Sequence, residues 1–201
     1  MEIILIFQLV ILIFSVIIHE VSHGLVALGL GDTTAKDAGR LTLNPLKHLD
    51  FFGSFLLPIS LYLVSGGSFI FGWAKPVPYN PFNLKDSKKG SGLIAAAGPV
   101  SNFLLALLTS LILRVGNYLN LGFNPVFLEI AIIVNLSLMI FNLVPIPPLD
   151  GSKILFSLLP RKFDYLFGAL ERYGMMIFIL FIFFGFGLII PLISLLFHLL
   201  T

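Results

Sequence analysis

Two histidines and a glutamate, His19, Glu20 and His23, lie within Ile17–Gly24, which reads IIHEVSHG. At 100° per residue His23 falls about 40° round a helix from His19, so both imidazoles can reach one metal ion while Glu20 points to the flank where a water would be activated. On a soluble helix such a pattern is often ordinary surface. Here it interrupts a long apolar stretch, and a carboxylate near the middle of a bilayer costs roughly 2.5 to 3.5 kcal/mol on insertion scales, so Glu20 needs a partner or a task. The chain has no cysteine, which leaves histidine and carboxylate as the metal ligands. A catalytic zinc site wants three protein ligands and one open position. Asp150, which follows a helix break and can be aimed into a bundle, is the best third candidate; its competing reading is an N-cap for the helix after it.

The elements that would position these groups belong to a membrane. Of 201 residues, 58% are hydrophobic and 11% charged, with 21 Phe and a mean hydropathy of +1.04. A soluble domain has no use for so much apolar surface, and the composition implies an all-α polytopic membrane protein. The formal net charge of +2 is too small to imply a nucleic-acid partner.

A first span covers about residues 3–30; with no basic leader region or small-residue cleavage site it reads as a retained helix. Residues 31–50 are turn-rich, with an alternation at Arg40–Leu43 that suits a short membrane-associated β element. Phe51–Val64 is apolar, but at 1.5 Å per residue it covers only about 21 Å of a core about 30 Å thick. The stretch after it holds Gly66 and Gly67, a plausible hinge, then Trp73 and alternating prolines Pro76 and Pro78, an extended edge resting at the interface. Further spans are expected at 91–114, at 126–159 with a break at 144–149 around Pro145, Pro147 and Pro148, and at 173–200 with a kink near Pro191. All of this makes one domain over residues 1–201.

Charge selects the topology. If Phe51–Val64 enters the membrane and returns, then Lys36, Arg40, Lys47, Lys75, Lys85, Lys88, Lys89, Lys153, Arg161, Lys162 and Arg172 share one face, and Arg114 alone of the 12 basic residues lies opposite. A crossing at Phe51–Val64 divides them far more evenly. The bias favours four spans, a re-entrant 51–64, a cytoplasmic basic face and both termini outside. It also brings His19, Gly98–Asn102 and Asp150 to one depth on one side.

Other polar residues have ordinary readings. Asn102 and Asn142 can be interhelical glue or can bind substrate. His48, beside Lys47, reads as a solvated loop residue and His198 as an interfacial one. A metal-ion transporter or channel could use the His/Glu/Asp group as a transit site, but these residues cluster toward one face and the opposite half of each span offers few polar residues for a path.

Taken together, HEVSH in the first span, GPVSN at Gly98–Asn102 and NLVPIPPLDG at Asn142–Gly151 resemble the site-2 protease family of intramembrane zinc metalloproteases, in its compact form without a PDZ or CBS domain. GRLTLNPLKHLD and FGWAKPVPYNP resemble it too, although Phe51 stands where compact members often have proline. The resemblance implies one Zn2+ per chain held by His19, His23 and Asp150, with Glu20 as the catalytic acid/base. It also implies substrate-positioning roles for Asn102 and Asn142, a transmembrane-protein substrate, and regulated cleavage in the cell membrane toward the cytoplasmic side.

Overall fold

The computed structural model describes residues 2–64, 66, 74–122 and 124–201. In chain order the helices are α1 (Glu2–Gly29), α2 (Thr34–Asp37), a π-helical turn Phe51–Leu56 running into α3 (Leu57–Val64), α4 (Ser87–Tyr118), α5 (Val126–Leu143), α6 (Asp150–Leu158), α7 (Asp164–Leu180), a π-helical turn Phe181–Gly185, and α8 (Phe186–Leu200). Among the described residues, four helical stretches, α1, α4, α5 and Arg161–Gly185, are long and apolar enough to cross a membrane. Their outward surfaces carry large apolar side chains, such as Ile3, Leu63, Leu104 and Phe184, with more than half their area exposed. That surface is at home in lipid and nowhere else.

Pairings between helices set their directions. His23 meets Ile94, and Ser15 meets Asn102, so α1 and α4 run antiparallel. Phe7 stacks edge-on against Phe127 with ring centroids 4.9 Å apart, which makes α1 and α5 parallel. The chain between α1 and α4 therefore leaves and rejoins the bundle on one face, where Ala27, Leu84 and Ile94 pack together. The helical segment Phe51–Val64 is as short as the sequence predicts. On the opposite face Arg114 donates to the carbonyls of Leu199 and Leu200, supplying a cation and donors to the C-terminal end of α8.

The core lies between α4, α5 and α8: Ala106, Leu113, Ile132, Leu136, Met139, Ile140 and Ile189 are buried there. Small residues let α4 come close to its neighbours. A Cβ at Gly98 would overlap both histidine rings, so glycine at this position is the condition for the site to exist. Asp86 caps α4 by accepting from the N–H groups of Lys88 and Lys89, so the helix starts before the expected Ser91.

Three expectations need correction. No strand forms among the described residues, and Arg40–Leu43 is irregular: the Arg40 N–H closes the end of α2 by donating to the Ala35 carbonyl, and no described strand lies beside the segment. His48 is buried, 1% exposed: its Nε2 donates to the Thr42 carbonyl and its own carbonyl accepts from Lys75 N–H, so the loop folds over it. The last helix starts at Asp164 instead of Tyr173, and its irregular turn falls at Phe181–Gly185, ahead of Pro191. The expectations for Gly67 and Trp73 lie outside the described residues.

Candidate active site

α1, α4 and the start of α6 meet at one point. His19 and His23 face the same way from α1, as their four-residue spacing requires, and their rings pack edge to face with centroids 4.6 Å apart. Asp150 is the first residue of α6. Gly151 behind it admits no side chain, since a Cβ there would strike the Leu143 and Val144 carbonyls; the α5–α6 break can thus fold tightly. Leu149, not Asp150, occupies the N-cap position, and Asp150 turns its carboxylate to the histidines instead. Asp150 Oδ2 lies 3.1 Å from His19 Nε2 and 3.3 Å from His23 Nε2.

These distances test whether a metal fits. Zinc bound tetrahedrally at about 2.0 to 2.1 Å separates its ligand atoms by about 3.3 Å, close to both observed spacings. A further requirement is that each histidine present a lone pair at Nε2, which a hydrogen bond from Nδ1–H secures. His23 Nδ1 donates to the Ile94 carbonyl at 2.6 Å; a carbonyl only accepts, so the tautomer is determined. Pro99 cannot donate to the Ala95 carbonyl, so the α4 ladder is open one residue from that acceptor. His19 Nδ1 donates to Asn102 Oδ1, also at 2.6 Å.

Asn102 is fully buried and its orientation is determined in turn. Its Nδ2 donates to the Ser15 carbonyl at 3.3 Å and to Asn135 Oδ1 at 3.1 Å, while Asn135 Nδ2 donates to the Ala131 carbonyl at 2.9 Å. A chain of one-way hydrogen bonds thus runs from α5 through Asn102 to His19. Asn102→Leu is expected to weaken zinc binding by about 10- to 100-fold in competition with a chelator, and Asn135→Leu by less, as outer partners of metal ligands do. Unchanged zinc affinity in both variants would show that His19 needs no such support.

Glu20 lies on the flank. Its Oε2 accepts from Val77 N–H at 2.8 Å, and Oε1 has no hydrogen-bond partner among the described residues. Val77 belongs to an irregular extended run, 74–80, that lies across the end of α1. Arg40 holds that run in place by donating to the Lys75 and Pro76 carbonyls. Asp32 anchors its far end by accepting from Asn80 N–H at 2.7 Å and Asn83 Nδ2 at 2.7 Å. Burial alone would push the Asp32 carboxyl up, but hydrogen bonds from Thr34, Asn80 and Asn83 hold it below its ordinary value.

A cavity of about 170 Å³ brings His19, Glu20, His23, Asn142 and Asp150 together, with Val77, Tyr79 and Lys153 on its wall. Asn142 is half-buried in it and donates Nδ2 to the Leu138 carbonyl of its own helix. Of the two asparagines singled out in the sequence, then, Asn142 borders the cavity and Asn102 sits behind His19. Asn135 received no role from the sequence, although it lies seven residues before Asn142 and so on the same helix face. The Ile94 carbonyl and the Val77 N–H are backbone groups and leave no trace in residue types.

The family model for Peptidase family M50 matches residues 112–185, a stretch that includes Asn135, Asn142 and Asp150. YwhC of Bacillus subtilis, which carries the name of a zinc metalloprotease, is 41% identical over 175 residues, 84% of this chain and 76% of YwhC. Rip2 of Mycolicibacterium smegmatis, named likewise, is 28% identical over 150 residues, 69% of this chain and 52% of Rip2. No solved structure matches the chain. With the likeness to YwhC spanning most of both proteins, the chain belongs to peptidase family M50, the site-2 protease family, and is a zinc metalloprotease built as an integral membrane protein.

Proposed function

We propose that the protein hydrolyses peptide bonds in or near transmembrane segments of other membrane proteins, with His19, His23 and Asp150 as the zinc ligands and Glu20 as the acid/base. The observation that carries this reading is the convergence of both Nε2 atoms on Asp150 Oδ2 beside a glutamate held by a backbone N–H. Zinc held by these residues supplies a Lewis acid and makes water acidic enough to attack near neutral pH. Glu20 takes the proton of the attacking water at Oε1 and returns it to the leaving amine, while the Val77 N–H keeps the carboxylate in place. Asn142 is free to hold the substrate backbone through Oδ1. Asn102 is a positioning residue for His19 in this scheme, and the substrate-binding role implied for it by resemblance passes to Asn142 alone.

Backbone chemistry favours an unwound substrate. In a helix each peptide carbonyl is hydrogen-bonded to the N–H four residues on and wrapped by side chains, so the bond to be cut is shielded. A locally unwound stretch exposes it, so helix-breaking residues near the scissile bond favour cleavage. On this reading Phe51–Val64 is re-entrant, the basic face is cytoplasmic, and cleavage takes place on that side of the cell membrane.

The test is a reconstituted single-span peptide followed by mass spectrometry. Cleavage is expected from the purified protein, lost after stripping with a zinc chelator and restored by Zn2+. A protein that binds zinc yet cleaves no peptide of this kind would point back to metal transit.

A further inference from the structure

Away from the active site, three cations surround a cavity of about 470 Å³ lined by Arg40, Lys47 and Lys75, with Leu46, Leu49 and Pro76 among its walls. Arg40 is only 7% exposed. Its terminal nitrogens donate to the Lys47, Lys75 and Pro76 carbonyls, and its Nε is buried with no partner. No carboxylate oxygen lies within 4.0 Å of any of the three cations among the described residues. A guanidinium cannot give up its proton, and a buried charge is ordinarily paired. Carbonyl dipoles offset part of the cost here but bring no countercharge, so among the described residues the Arg40 charge has no carboxylate partner.

The rim indicates where a countercharge would come from. Leu46, on its wall, is 74% exposed, and Leu43, just before it in the chain, and Phe51 and Phe52, which open the following π-helical turn, are each more than half exposed. Such side chains are stable at the acyl boundary of a bilayer, with lysines above them at headgroup level. We propose that this cavity binds the phosphodiester headgroup of an anionic phospholipid, Lys47 and Lys75 meeting the phosphate oxygens and Arg40 lying beneath as the buried cation. The carbonyls that Arg40 holds belong to Lys75 and Pro76, directly before the Val77 N–H that positions Glu20. Headgroup binding therefore also steadies the segment on which Glu20 depends.

The full chain, purified in detergent and offered phosphatidylglycerol or phosphatidylcholine, can be examined by native mass spectrometry. Phosphatidylglycerol should be retained in preference to phosphatidylcholine. Lys47→Gln with Lys75→Gln should weaken its binding by about thirtyfold, from roughly 1 kcal/mol for each lysine near an anionic headgroup. Both lysines are exposed, so the double variant folds. Lys85→Gln with Lys89→Gln removes the same charge elsewhere and should leave retention unchanged. Equal losses in the two double variants would mean diffuse attraction and no site, and equal retention of both lipids would overturn the proposal outright. Displacement of the lipid by inorganic phosphate at matching concentration would reassign the cavity to free phosphate and end the lipid claim.

Discussion

Glu20→Gln is expected to lower kcat for cleavage of a reconstituted single-span peptide by about 10²- to 10⁴-fold, the usual worth of a positioned acid/base, while elemental analysis still finds zinc. Glutamine has the size of glutamate and keeps an oxygen that can accept from Val77 N–H, so the 2.8 Å bond and the run 74–80 are preserved. What it lacks is the capacity to take a proton at neutral pH. His19, His23 and Asp150 are untouched, and the zinc content should stay that of the wild type. Equal cleavage by both forms would remove Glu20 from the mechanism. Loss of zinc along with activity would instead place Glu20 among the ligands.

Asp150→Asn is expected to act on the metal itself. Asp150 Oδ2 is shared between the two Nε2 atoms at 3.1 and 3.3 Å, so it is the only anionic member of the group. Asparagine keeps the volume and the position at the start of α6 but loses the charge, and its amide nitrogen would face the same lone pairs that a cation requires. Zinc affinity should fall beyond the 10- to 100-fold that outer partners are worth, measured by chelator competition with helicity monitored by circular dichroism. His23→Ala should move affinity in the same direction. A zinc stoichiometry unaffected by either change would take that residue out of the ligand set.

Much of the fold was legible because the membrane simplifies the code. Spans announce themselves by length and apolarity, and four of the described helical stretches have both. The antiparallel pairing of α1 with α4 brings the end of α1 and the start of α4 together, as the spans read from the sequence require if both are to carry the site. The misreadings were local. His48 looked solvated because its neighbour is a lysine, yet burial of a loop histidine depends on what folds over it, and Lys75 lies far along the chain. Arg40–Leu43 alternates like a strand but meets no strand to pair with among the described residues. A kink was expected at Pro191, while the irregular turn falls at Phe181–Gly185, where a Cβ at Gly185 would overlap the Phe181 ring.

The HEVSH stretch by itself determined that two imidazoles share a helix face with a glutamate on the flank, because a helix has one geometry. It also called for a third ligand from elsewhere, a carboxylate or another histidine, because no cysteine exists to serve. Only the tertiary structure decided how those groups are held. Backbone groups from other segments do that work, the Ile94 carbonyl on His23 and the Val77 N–H on Glu20, and every residue carries such groups whatever its side chain. The same holds for the chain from Asn135 through Asn102 to His19: asparagines in apolar helices are visible in the sequence, but which way each amide faces is settled by the donors and acceptors that packing brings within reach.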